Sequence, residues 1–416
     1  MSTPLLRRVP PCDAVARDRA DLDEGTLAAA TAIVSEVRRG GVPALLACAE
    51  RYDARRGDTA WLFERVDLRR ALDSLDASTR GVLERAAARI AAYARAQRAT
   101  LTDLTVAIPN GRAGHRVLPM ERAGCYAPGG RYPLPSSLLM TAVTARVAGV
   151  DDVVVATPSP SPTMLAAAAI ADADVVIGVG GAHAIAALAY GVGVPACDIV
   201  VGPGNRWVTA AKRLVAGDVA IDMLAGPSEL LIVADASAEA ATVAADLIAQ
   251  AEHDPEAFVA LVTTEEALVP AVERELSLQL ATLPTASVSR ASLRRGLAVV
   301  CEDLDEAARV CDVLAPEHLQ LSMTDAARFA DRCRHAGACF LGERSAEVFG
   351  DYGVGGNHVL PTGRRARYTG GLSVLSFLRV RSWLELDDVA DTDDIAALAR
   401  IEGLEGHARA AERRAG

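Results

Sequence analysis

Four stretches of the chain carry side chains whose types and spacing suit catalysis. The first is Gln250-Ala-Glu-His253. Positions i and i+3 share a helical face, so an amide oxygen and an imidazole nitrogen there can address one cation. Two ordinary surface residues show the same spacing, and the second histidine of a His-Glu-x-x-His zinc helix is absent. The second stretch is Pro316-Glu317-His318. A carboxylate beside an imidazole can divide acid–base labour near neutral pH, although neighbours on an extended segment point oppositely. In the third, Gly350-Asp-Tyr-Gly-Val-Gly-Gly-Asn-His-Val-Leu-Pro-Thr362, Asp351 stands among glycines with Asn357-His358 close behind, as in a functional loop. The fourth comprises two glycine turns. Gly178-Val-Gly-Gly-Ala-His183 places His183 where a dinucleotide fingerprint requires its last glycine, so it reads equally as a tight turn before a helix. In Gly202-Pro-Gly-Asn205, Asn205 either meets a phosphate at a helix start or simply caps that helix. His407, in Glu402-Gly-Leu-Glu-Gly-His407, is by itself an ordinary helical histidine.

The elements that must position these groups follow from periodicity. Segments 26–39 and 43–52 have helical spacing, and 72–97 is a longer helical run with apolar residues at Leu83, Ala87, Ile90 and Tyr93. Asn110-Gly111 lies between extended segments 104–108 and 115–118, a hairpin signal. Beyond residue 122 the texture changes: strand-like runs at 152–156, 174–178 and 198–202 alternate with helical runs at 162–171, 182–190 and 205–216. A second series has strands at 229–234, 257–263, 297–301, 318–322 and 338–341, with helices at 238–253, 265–281 and 304–314. Such alternation means βαβ units, hence an α/β protein with two parallel sheets.

Composition bounds the function. The 416 residues include 43 Lys+Arg and 54 Asp+Glu, a net charge of −11, with no basic face for nucleic acid. Apolar residues make up 51% and aromatics 4%, so Ala, Val and Leu build the core, and disordered and fibrous classes are excluded. The eight cysteines form no Cys-x-x-Cys pair; reduced and mostly buried thiols are expected. The N-terminus has no apolar export segment, which points to a cytoplasmic protein. Residues 175–197 are uncharged and long enough to cross a bilayer, but their glycines and Pro195 divide them into strand, loop, helix and loop of a buried core.

From about residue 20 onward the chain resembles the histidinol dehydrogenase family. The resemblance rests on Cys125-Tyr-Ala-Pro-Gly-Gly130, Leu134-Pro-Ser-Ser-Leu-Leu-Met140, Gly180-Gly-Ala-His-Ala-Ile-Ala-Ala-Leu-Ala-Tyr-Gly191 and Gly202-Pro-Gly-Asn205. It continues in Ile221-Asp-Met-Leu-Ala-Gly-Pro-Ser-Glu229, Gln250-Ala-Glu-His253, Ala315-Pro-Glu-His-Leu319, Gly350-Asp-Tyr352 and Asn357-His-Val-Leu-Pro-Thr362. The resemblance implies a homodimer that oxidises L-histidinol through the aldehyde to L-histidine, using zinc and two successive hydride transfers to NAD. It also implies two Rossmann-like domains lacking the glycine fingerprint. Residues 23–123 and 229–370 would form the first, with the zinc and catalytic residues, and 124–228 the second, on the NAD side; 1–22 would be an N-terminal arm and 371–416 a tail completing the partner's site. Zinc ligands would be Gln250, His253, Asp351 and His407. His318 would take the alcohol proton and Glu317 would activate water. Ser228, Gln250, His253, His318, Asp351, Glu402 and His407 would contact substrate, and Tyr126, His183 and Asn205 the cofactor.

At position 183 the family usually carries Gln at a cofactor contact, where a neutral imidazole cannot match an amide's simultaneous donation and acceptance. Glu343-Arg344 and the loop Gly129-Gly-Arg-Tyr132 also depart from many members. These leave open a related zinc- and NAD-dependent dehydrogenase for another small polar alcohol. A third reading, a non-catalytic two-domain binding protein, has no use for the Glu317-His318 pair.

Overall fold

The computed structural model describes residues 4–14, 22–53, 55, 59–129, 133–387 and 391–414. Its strands begin with β1 (Arg7–Val9), β2 (Leu62–Glu64), β3 (Leu104–Ile108), β4 (Gly111–Pro119) and β5 (Arg122–Tyr126). Next come β6 (Asp152–Ala156), β7 (Val175–Ile177), β8 (Ile199–Val201), β9 (Ala220–Ile221) and β10 (Glu229–Ala234). Then follow β11 (Phe258–Thr263), β12 (Leu297–Val300), β13 (His318–Ser322), β14 (Ala338–Leu341) and β15 (Leu378–Leu386).

One six-stranded sheet runs β1-β12-β11-β10-β13-β14 and is parallel throughout. The other runs β2-β7-β6-β5-β8-β9 and is parallel except at its edge, where β2 lies antiparallel to β7. After its central strand, β10 or β5, each sheet lays two strands to one side and then two to the other, the doubly wound order. The α/β architecture read from the alternating pattern is therefore present twice.

The strands are parallel and central because they are apolar on both faces. Every residue of β10 (Glu-Leu-Leu-Ile-Val-Ala) and β11 (Phe-Val-Ala-Leu-Val-Thr) is buried. Leu230 and Ile232 face the helices Ala240–Ala251 and Leu268–Gln279, while Leu231 and Val233 face the helix Leu304–Leu314. In the second sheet, Val153 and Val155 pack toward the helix Pro135–Ala148, and Val154 toward the helix Gly181–Tyr190.

Packing corrects the expected domain partition. Residues 23–123, expected to fold with 229–370, instead lay their helices on the other sheet. Leu83, Ala87, Ile90 and Ala94 of the helix Ala77–Ala99 join the core around Ala123, Cys125 and Val153. Ala30, Ile33 and Val37 of the helix Glu24–Tyr52 join Val154 and Ile177. Tyr93, expected on the apolar stripe, is 44% exposed, and Ala94 takes its place. The expected arm, 1–22, supplies β1, whose Arg7–Val9 pair with Leu297–Val299; its residues 1–3 and 15–21 lie outside the described ones. Segments 26–39 and 43–52 form one helix, kinked at Gly41 (φ 63°) ahead of Pro43.

β3 and β4 pair as the expected hairpin, closed by Pro109-Asn110 with Asn110 at φ 59°. β15 extends it into a third, antiparallel sheet, running along β4 from Leu378 opposite Pro119 to Leu386 opposite Gly111. Beyond it, the helices Thr392–Ile401 and Glu405–Glu412 pack on each other through Ala396, Ala399 and Ala408. Ile395, Leu398 and Ile401 remain exposed, Ile401 at 82%. The uncharged run 175–197 resolves into β7, a turn, the helix Gly181–Tyr190 and a loop, and no helix among the described residues is long and apolar enough to cross a membrane. All eight cysteines are unpaired, and Cys48, Cys125, Cys197, Cys301 and Cys311 are buried.

Candidate active site and metal centre

The helix Leu304–Leu314 ends on Ala315 in the left-handed region (φ 42°), and the chain turns through Pro316 into Glu317 and the first residue of β13, His318. Both side chains are buried. The backbone of one β10 residue fastens them. Glu229 N–H donates to Glu317 Oε2 at 2.8 Å, and His318 Nδ1 donates to Glu229 O at 3.0 Å. A carbonyl only accepts, so the imidazole proton sits on Nδ1 and Nε2 keeps its lone pair. That nitrogen lies 3.8 Å from Asp351 Oδ1. Burial holds the His318 imidazole below its ordinary range, and the Asp351 carboxylate opposes this, so the neutral acceptor form is favoured. Burial pushes Glu317 well above the carboxylate range, against the Glu229 amide and with the help of the Glu229 and Asp351 charges. Glu317 and His318 are thus displaced in opposite directions, the condition under which two adjacent groups can divide acid and base work.

The second cluster comes from two helix ends. Gln250 is buried in the last turn of Ala240–Ala251, and His253 follows directly after it. Asp351 ends the short helix Glu347–Asp351. His253 Nε2 lies 3.6 Å from Asp351 Oδ2, and one ligand atom each from His253, Glu347 and Asp351 fall within 4.8 Å of one another. With its nitrogen turned toward Glu347, the Gln250 amide donates to both Glu347 oxygens at 3.1 Å, leaving its own oxygen for another partner. Glu347 is buried, and burial together with Asp351, Glu317 and Asp246 drives it well above the carboxylate range. Among the described residues, the ion pairs made by Glu317 and Asp351 go to histidines only. An imidazole, an amide oxygen and crowded carboxylates without Lys or Arg form a donor set that a divalent cation such as zinc fits. His358 steadies the cluster: its Nδ1 donates to the Asp351 carbonyl at 2.8 Å, and its Nε2 is 3.3 Å from Ser137 Oγ.

Both clusters open into one cavity of about 680 Å3, whose walls include Ser228, Gln250, His253, Glu317, His318 and Asp351. The turn after β8 (Pro203 to Arg206) also lines it, so the amino ends of β10 and β13 share a cavity with the carboxyl end of the other sheet. A second pocket, of about 720 Å3, is lined by Tyr126, His183 and Asn205; Asn205 borders both. Tyr126 OH accepts from Gly181 N–H at 3.2 Å, and burial pushes its phenol up to about 12. Asn205 Oδ1 accepts from Trp207 and Val208 N–H at 3.1 and 3.2 Å, so it is the helix cap, and its amide nitrogen is the end left for a ligand. Gly202 (φ 115°) lets this turn meet β5: a Cβ there would lie 2.0 Å from the Tyr126 carbonyl oxygen.

The structure therefore gathers Ser228, Gln250, His253, Glu317, His318 and Asp351 at one cavity, and Tyr126, His183 and Asn205 at its neighbour. It does not bring Glu402 or His407 to either within one chain: both are exposed on the C-terminal helix pair. Sequence reasoning missed Glu347 and Asp53. The spacing of Glu347 to Asp351, i to i+4, carried a signal. Nothing in the sequence marked Asp53, whose Oδ2 accepts from Gly180 N–H and His183 Nε2–H at 2.8 Å each.

Comparison with known proteins identifies the family. The family model for histidinol dehydrogenase matches residues 16–415. The chain is 48% identical over 351 residues to histidinol dehydrogenase of Thermus thermophilus, covering 83% of this chain and 85% of that protein. It is 43% identical over 406 residues to the Bordetella parapertussis protein of that name, covering 95% and 92%. The crystal structure of histidinol dehydrogenase from Elizabethkingia anophelis superposes with a TM-score of 0.93 at 27% identity, over 100% of this chain and 99% of that one. By family model, sequence and fold together, the chain belongs to the histidinol dehydrogenase family.

Proposed function

We propose that this enzyme oxidises L-histidinol to L-histidine by way of L-histidinal, the closing steps of histidine biosynthesis, with NAD as the hydride acceptor and cytoplasm as its location. The observation that carries the reading is the placement of His318 Nε2, stripped of its proton by the Glu229 carbonyl and directed toward Asp351 beside His253 and Gln250.

Gln250, His253 and Asp351, with His407 of the partner subunit, would hold zinc, which when bound supplies a Lewis-acidic anchor for the imidazole and amine of the substrate. Tyr126, His183 and Asn205 would hold NAD, which when bound would supply the hydride acceptor. His318 Nε2 accepts the carbinol proton as the C–H bond gives up its hydride, leaving the aldehyde. Glu317 then takes a proton from water as that water adds to the aldehyde, and His318 returns its proton to the carbonyl oxygen, giving the hydrate and freeing Nε2 for the second oxidation. His318 removes a hydroxyl proton from the hydrate as the second hydride departs, and the acid is formed. Ser228 and Glu402 of the partner subunit complete the substrate contacts. A homodimer with shared sites follows from this reading, because Glu402 and His407 lie far along an exposed tail that can reach a neighbour.

The test is NADH formation by purified, zinc-loaded protein given L-histidinol, with other amino alcohols as controls. Two NADH per histidinol are expected. Release of histidinal after one, or faster turnover of a different alcohol, would overturn the substrate assignment.

A further inference from the structure

The 720 Å3 pocket lies at the carboxyl ends of β5 and β6, ahead of the helix Gly181–Tyr190. In a sheet of this strand order, the first backbone N–H groups of such a helix ordinarily meet a dinucleotide's phosphates. Here protein groups occupy those donors. Gly180 N–H donates to Asp53 Oδ2 at 2.8 Å, and Gly181 N–H to Tyr126 OH at 3.2 Å. Asp53 follows the helix Glu24–Tyr52, and its side chain is only 9% exposed. It also accepts from His183, which fixes the imidazole proton on Nε2. A carboxylate thus stands where an anion would dock.

The rest of the lining agrees. Ile33, Pro158, Met164 and Trp207 give it apolar walls, Thr157 and Ser161 add neutral hydroxyls, and among the described residues no Lys or Arg lines it. The adjoining 680 Å3 cavity, by contrast, has Arg206, Arg295 and Arg365 in its walls. The two spaces sort charge: the one suits phosphates, the other an uncharged nucleoside. Since the hydride chemistry belongs beside His318, the end of the cofactor in the distal pocket is its adenosine.

We propose that Asp53 is a specificity-determining residue of the cofactor pocket, rejecting a phosphorylated ribose and so selecting NAD over NADP. This rests on the NAD reading given above. A phosphate brought beside this buried carboxylate, in a pocket whose described lining residues include no Lys or Arg, meets like-charge repulsion in a partly desolvated site.

The experiment measures kcat/KM for NAD and NADP with saturating L-histidinol on the zinc-loaded protein. NAD should be preferred by about a hundredfold, the size of effect such repulsion produces. Asp53→Asn, which keeps an oxygen for Gly180 N–H, should narrow that preference by about tenfold or more. An unchanged preference in a variant that melts like the parent overturns the role of Asp53. Wild-type use of NADP within about threefold of NAD overturns the rejection itself. A second measurement needs no variant: adenosine should compete with NAD and adenosine 2′-monophosphate should not, and equal competition overturns the proposal even if Asp53→Asn fails to fold. If neither nicotinamide dinucleotide is reduced, the NAD reading falls and takes this inference with it, a result distinct from equal use of both.

Discussion

At His318 the choice of reacting nitrogen is made by a backbone carbonyl that can only accept. Its side chain packs against Phe340, with ring centroids 5.9 Å apart, so the imidazole is held from one side by an aromatic face and from another by strand β10. On the proposed reading, replacing it removes the proton acceptor and leaves the proposed metal donors Gln250, His253 and Asp351 in place. His318→Ala should lower turnover by about 10²- to 10⁴-fold, the usual weight of a general base, while the purified variant still carries zinc on metal analysis. Near-normal turnover would show that another group takes the proton. Glu347 makes a different kind of contribution, because it addresses the Gln250 amide and not the substrate. Without it the amide loses the partner that aims its oxygen. Glu347→Gln should weaken zinc binding by about 10- to 100-fold in a chelator competition, in the range for groups that orient ligands. Wild-type affinity would detach Glu347 from the metal's support. Its omission from the sequence reading has a physical cause. It lies in a five-residue helix too short to show periodicity, and a buried carboxylate partnered by an amide runs against what composition leads one to expect.

Among the elements, the turn between β8 and the helix Arg206–Val215 depends on a buried ion pair. Asp222 accepts from Gly202 N–H at 2.8 Å and from Lys212, whose Nζ also donates to Gly202 O at 3.0 Å; neither side chain is more than 2% exposed. Lys212 therefore fastens the Asn205 turn to the segment that leads into β10. Lys212→Met strands the Asp222 carboxylate and should cost about 3–5 kcal/mol in urea unfolding. Adding Asp222→Asn should return part of that loss. A single variant as stable as the parent would mean that the pair contributes nothing net. Secondary structure was legible at this scale where burial on both faces forces near-continuous apolar strands, as in β10 and β11, each of whose residues the structure buries. The assignment of elements to sheets was not. The stripe Leu83, Ala87, Ile90 and Ala94 specifies a buried helical face, but an apolar face fits either sheet equally well, and only the three-dimensional packing chose.

For the whole molecule, the separation of His407 from His253 and Asp351 within one chain is the feature with the clearest consequence for assembly. If the partner supplies Glu402 and His407, two different inactive chains can repair each other. His253→Asn and His407→Asn proteins, each inactive alone, should on mixing and subunit exchange recover about a quarter of wild-type activity, since half the dimers are mixed and each holds one intact site. No recovery after exchange is confirmed by native mass spectrometry would count against sharing. The motifs made the site legible because its residues sit in short, distinctive strings. The proposed two-chain arrangement comes only from family resemblance, because neither charge nor periodicity in a tail says which copy it will meet.

The chain also passes between its two sheets more than once. β1 lies in one sheet while the helix from Glu24 covers the other, the chain returns at Glu229, and Val359, Leu372, Val374 and Phe377 come back to the core first occupied by Cys125. No single cut yields two self-sufficient halves. A protease that nicked the loop near Gly355 would leave pieces still interleaved through that core and through the full pairing of β15 with β4, so the enzyme would run whole on a native gel and split only in detergent.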